Sequence, residues 1–345
     1  MNSIDFNEDF YKKKYLKYKA KYLKLTGGYN CTPPKWKDLP LLNEKFKGDL
    51  KITDNDINYN DLAVFYDSLS NIYKVATIEK KYNFLNVFDV KNKPNDNFDI
   101  PPENFYHVIS HSGRSNIAFI SLNKFILTDT KKNQLVVYDT EPNNKSKENK
   151  SYGFLPFVTN DKQKSIILVK PRCVAFIGST LYVIDDGRIL LCNLVFNTVS
   201  EIPITLLNDK IISTTSVGLA VSDSGKICVS IGKKLFKVEG KSMTEIKIVC
   251  KDKSCIGVSR NIAFDGEDTI CVADAVNNQV LLINFLNGDV ICNYNLQQSS
   301  PISIACANSK IFVCLANNNI LKICNKPNVG KKDTPTPKPP AESQI

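Results

Sequence analysis

The 345-residue sequence predicts an all-β chain, a six-bladed β-propeller, preceded by an N-terminal α-helix and followed by a disordered C-terminal tail. Three observations carry that prediction. One unit recurs through most of the chain. Each copy breaks into short segments rich in β-branched residues and punctuated by Gly, Asn and Asp, as strands with tight turns require. The later copies are spaced at the length of one four-stranded blade.

The clearest copy runs from Arg260 to Asn284 and continues from Gly288 to Tyr294, reading as four strands and three turns. Related copies begin at Asn116, Pro171, Ser216 and Pro301, and a degenerate one begins near Asp61. Leu62, Ile117, Val174, Leu219, Ile262 and Ile304 then occupy equivalent positions, at spacings of 55, 57, 45, 43 and 42 residues. The two long spacings contain polar insertions around 91–110 and 140–165. Helical repeats would need longer stretches of 3.6-residue periodicity. The last copy stops at Cys324 without a fourth strand, whereas Gly48–Thr53 is strand-like and has no blade of its own. That segment is expected to complete the last blade and close the ring, removing sheet edges that invite aggregation.

In chain order, the expected divisions are a basic amphipathic helix over 1–28, a linker over 29–45, the propeller over 46–325 and a Pro/Lys-rich disordered tail over 326–345. In the helix, Tyr11, Tyr15, Tyr18, Tyr22 and Leu25 recur at spacings of 4, 3, 4 and 3 among lysines, placing one aromatic stripe on a cationic surface. Such a helix suits docking into a protein groove, onto an anionic membrane surface or onto nucleic acid; packing against its own propeller is the alternative. The scarcity of compensating acids favours docking. Gly27 and Gly28 read most simply as a helix C-cap leading into a linker, and alternatively as a processing site. The last 20 residues hold five prolines and few large apolar groups, too little to offset the entropy of ordering.

The net charge of +10 is uneven, with +4 on residues 1–28 and +2 on 326–345. The remaining +4 on the long central part gives little reason to expect nucleic-acid binding there. No apolar run reaches the roughly 18 residues of a spanning helix, so no transmembrane segment is expected. The lysine-rich start is unlike a secretory signal peptide, so export by that route is not expected either. The eleven cysteines include no C-x-x-C pair and mostly sit in strand-like segments, which reads as small buried hydrophobes in a reducing compartment.

The copy from Arg260 to Asn284 resembles an NHL repeat, with an apolar first strand, a second strand ending in Val272-Ala-Asp274, an Asn-Asn turn and an apolar third strand. The resemblance extends at falling quality over 46–325. Asp129, Asp185 and Asp274 match the repeat's second-strand Asp, while Ile231 and Leu315 replace it elsewhere. The start, from Phe10 to Gly28, is similar to an N-terminal segment of proteins from mimivirus-like giant DNA viruses. That likeness implies a virus-encoded protein sorted to virions or to cytoplasmic viral factories. Leu25-Thr-Gly-Gly28 also resembles double-glycine sites cut by viral cysteine proteases.

Four sets of residues invite a chemical reading. His107 and His111, the only histidines, are spaced for a metal on a helix, but Pro101, Pro102 and Gly113 crowd the segment. Cys250 and Cys255 could pair or bind zinc, though their spacing departs from the usual pattern. Some similar six-bladed propellers are metal-dependent lactonases, and Asp129, Asp185, Asp274 and Asn277 could be placed at a channel mouth; the stronger reading is that these aspartates accept turn N–H bonds. No G-x-S-x-G, P-loop or H-E-x-x-H occurs. The expected function is therefore a non-enzymatic protein-interaction scaffold with no cofactor, metal or catalytic residues, the alternative being a divalent-metal-dependent, lactonase-like hydrolase.

Overall fold

The computed structural model describes residues 37–40, 59–79, 84–93, 97–99, 106–109, 116–139, 150–152, 154–159, 165–195, 198–204, 216–249, 256–296, 299–308, 310–316 and 320–325. These form strands in six sheets, so the all-β expectation holds. Sheet I contains Tyr59–Asp67, Ile72–Glu79, Phe84–Lys93 and Asn97–Asp99, with Tyr106–Ile109 also on the third strand. Sheet II contains Ile117–Ser121, Lys124–Asp129, Gln134–Asp139 and Lys150–Tyr152. Sheet III contains Pro171–Ile177, Thr180–Asp185, Arg188–Asn193 and Thr198–Pro203, and gains Phe154–Thr159 and Ser165–Ile167 at its outer edge. Sheet IV contains Val217–Val221, Ile227–Ile231, Lys234–Glu239 and Ser242–Ile246. Sheet V contains Ser259–Asp265, Thr269–Asp274, Gln279–Asn284 and Val290–Asn295. Sheet VI contains Pro301–Ala307, Lys310–Leu315, Ile320–Asn325 and the early strand Lys37–Pro40.

That early strand corrects one expectation. Sheet VI is completed from the N-terminal side, but by Lys37–Pro40 pairing antiparallel with Ile320–Asn325, within the stretch read as linker. Gly48–Thr53 lies outside the described residues, as do the helix segment 1–28 with Tyr11, Tyr15, Tyr18, Tyr22, Leu25, Gly27 and Gly28, and the tail 326–345. A strand ending on Pro40 suits an edge position, because Pro lacks the N–H that a central strand would use on both sides.

The first strands of the sheets follow one another: each lies beside the first strand of the next sheet, and that of sheet VI lies beside that of sheet I. Apolar clusters fill the spaces between neighbours. Leu62, Tyr73 and Phe88 of sheet I meet Phe312, Leu321 and Ile323 of sheet VI. Ala76 and Val87 meet Phe119, Phe125 and Tyr138 of sheet II. Ile126 and Leu135 meet Val183 and Leu190 of sheet III. Ile184 and Ile189 meet Leu219 and Val229 of sheet IV. Ala220 and Leu235 meet Ile270 and Leu281 of sheet V. Both faces of the central strands are buried, which explains why their sequences run apolar through adjacent positions instead of alternating.

The turns explain the Asn content. Asn71, Asn133, Asn278 and Asn308 all take positive φ, the left-handed region that Asn tolerates better than most residues. Asp186 and Gly187, with φ of 44° and 82°, form the two-residue turn between the second and third strands of sheet III. Cys173, Cys192, Cys228, Cys314 and Cys324 are reduced and buried as expected. Cys292 differs: it is disulfide-bonded. Among the described residues no helix is long and apolar enough to cross a membrane.

Candidate functional site

The residue just before each aligned apolar position is Asp61, Asn116, Cys173, Gly218, Asn261 or Ser303, one per sheet. In four of the first strands a register shift immediately precedes it, between Tyr59 and Asp61, Pro171 and Cys173, Ser259 and Asn261, and Pro301 and Ser303. A bulge re-aims the following side chain out of simple alternation. Here it accompanies a belt of contacts that passes from sheet to sheet.

Asp61 is the belt's one carboxylate and is only 2% exposed. Its Oδ1 accepts hydrogen bonds from Ser303 Oγ at 2.6 Å and Asn261 Nδ2 at 2.7 Å. Its Oδ2 accepts from Asn116 Nδ2 at 2.6 Å and from the Ile117 N–H at 2.8 Å. Asn116 Oδ1 in turn accepts from the Val174 N–H of sheet III at 2.6 Å. The Cys173 thiol donates to the Val217 carbonyl of sheet IV at 3.4 Å. Gly218 is backed so closely by sheet V that an added Cβ would lie 3.3 Å from Ile262 Cγ1, and 2.7 Å from Ser230 Oγ in its own sheet. Asn261 Nδ2 also bonds Ser303 Oγ at 2.7 Å, and Ser303 Oγ accepts the Leu62 N–H at 3.1 Å. Each of the six positions thus touches the next sheet round.

Burial pushes the Asp61 carboxyl up from 3.8 to about 6, against the opposing pull of its hydrogen bonds from Ser303 and Ile117. Burial, and then the Asp61 charge, push the Cys173 thiol up to about 12, which makes it a poor nucleophile. A divalent cation at this place would need oxygen ligands turned towards it. Asn116 and Asn261 instead turn their N–H2 groups to Asp61, and their oxygens accept backbone N–H bonds from Val174 and Ile262. That donor set does not fit a metal. Among the described residues no group of three His, Cys, Asp or Glu side chains is placed to hold one elsewhere.

The second-strand aspartates stay apart, each within its own sheet. Asp274 accepts from the Gly257 and Val258 N–H groups at 2.9 and 3.0 Å, and from Asn277 Nδ2 and Gln279 Nε2 at 2.8 Å each. Asp185 accepts from the Val169 and Lys170 N–H groups at 3.0 and 2.6 Å and pairs with Arg188 at 2.9 Å. Asp129 accepts from the Lys132 N–H at 3.0 Å. In sheets III and V the aspartate therefore ties the chain entering the first strand to the turn after the second, as the turn-bonding reading expects. His107 lies on strand Tyr106–Ile109 opposite Asn86, not on a helix, so the i, i+4 metal geometry does not arise; His111, Cys250 and Cys255 lie outside the described residues.

With four donors converging on a buried carboxylate, Asp274→Ala is expected to destabilise the chain by about 2–3 kcal/mol, since donors left without an acceptor in the interior cost about 1–3 kcal/mol each before relaxation. Urea unfolding measures this directly. A loss under about 0.5 kcal/mol would mean that the clamp is not needed, as in the copies that carry Ile231 and Leu315.

No family model matches the chain, and no curated protein matches it in sequence. Solved structures do. A catalytically inactive variant of virginiamycin B lyase from Staphylococcus aureus with quinupristin aligns with a TM-score of 0.52, at 16% identity, over 84% of this chain and 99% of that one. A streptogramin B lyase aligns with a TM-score of 0.53, at 13% identity, over 85% of this chain and 98% of that one. The fold is a β-propeller. At such identities the likeness carries the fold and no activity.

Within that propeller the belt was missed by sequence reasoning, which aligned the apolar residue and passed over its neighbour. The signal was present: five of the six preceding residues are polar or sulfur-bearing and short, and the sixth is Gly218.

Proposed function

We propose that this chain is a six-bladed, NHL-like propeller acting as a non-enzymatic protein-interaction scaffold. The observation that supports the reading is how the central polar groups are used. Both Asp61 oxygens are taken up by donors from sheets II, V and VI, and Asn116 Oδ1, the Cys173 thiol and Ser303 Oγ bond the backbone of the next sheet. Groups spent on joining blades are not poised for turnover, so recognition falls to the turns and outer surfaces. In this proposal the segment 1–28 docks the propeller to a virion or viral factory through Tyr11, Tyr15, Tyr18, Tyr22 and Leu25.

The test is affinity capture from infected cells, using the full chain and a chain beginning at Tyr29, with mass spectrometry of what copurifies and of the mature N-terminus. Partners retained by both chains support recognition by the propeller; partners lost with the first 28 residues make the propeller cargo. Failure of both chains to retain any protein, together with stabilisation by Ca²⁺ or Mn²⁺ and hydrolysis of lactones, would replace the scaffold with the metal-dependent hydrolase.

A further inference from the structure

We draw no further inference here: the strongest candidate, the hairpin tip of sheet I that Asp67 braces by accepting hydrogen bonds from the Leu69 N–H and Ser70 Oγ and that holds Leu69 97% exposed, is a single apolar side chain, and nothing in the structure shows what covers it.

Discussion

A chain beginning at Leu41 is expected to melt about 5–10 °C below the full chain and to self-associate more strongly, whereas one beginning at Pro34 keeps both the melting temperature and the association state of the full chain. The difference is the strand Lys37–Pro40, whose register runs from Lys37 opposite Ile323 to Pro40 opposite Ile320. Without it, Ile320–Asn325 becomes an edge with its backbone N–H and C=O groups unpaired, next to the buried side chains of Leu321, Ile323 and Cys324. An apolar, uncovered edge is a template for pairing with another chain. Scanning calorimetry and light scattering on the two truncations decide the matter. Identical melting of both would show that Lys37–Pro40 contributes nothing to closure.

The second large effect is at Asp61. Replacing it with Ala removes the acceptor for Ser303, Asn261, Asn116 and Ile117 at once. Unmade interior bonds cost about 1–3 kcal/mol each, partly offset by relief from burying a charge, so a net loss of about 2–4 kcal/mol is expected at neutral pH. Asp61→Asn keeps the shape and one carbonyl acceptor but sets an N–H2 group against two donors, and is expected to cost less.

The two variants also carry a pH signature. The folded carboxyl is raised from 3.8 to about 6, so between these values the folded chain holds a proton that the unfolded chain has released. Stability from this group is fully present below 3.8 and is lost as pH rises through about 6, an upper bound of about 3 kcal/mol. Unfolding free energies measured from pH 4.5 to 7.5 should show this fall for the natural chain relative to Asp61→Asn. Parallel profiles for the two would rule out a raised Asp61.

Much of the fold was legible because it rests on repetition. Turn residues such as Asn133, Gly187 and Asn278 and the apolar strands between them recur, so period and strand content could be read together. The closing strand was legible in principle and misplaced in detail. Four residues ending in Pro40 carry little strand signal, because an edge strand needs only one paired side and its partner lies some 280 residues away. The belt was harder still. Asp61, Asn116, Asn261 and Ser303 are chemically unlike, and what unites them is a bulge before the residue and a neighbour across the next seam, neither of which is a local property. The aspartates ending the second strands were read correctly as turn acceptors because their donors are close in sequence, within 17 residues for Asp274.

The placement of Lys37–Pro40 in sheet VI has a temporal meaning as well. On a ribosome this strand emerges before sheets I–V and its partner Ile320–Asn325 after them, and Asp61 likewise precedes Ser303 by 242 positions. Five sheets can be laid down in sequence while the early strand waits, but neither sheet VI nor the belt can be completed until the strands of sheet VI have been made. Throughout the synthesis of sheets I–V the nascent propeller is therefore an unlatched series of sheets, and its vulnerability to premature release, proteolysis or pairing with a neighbouring nascent copy is concentrated in that interval.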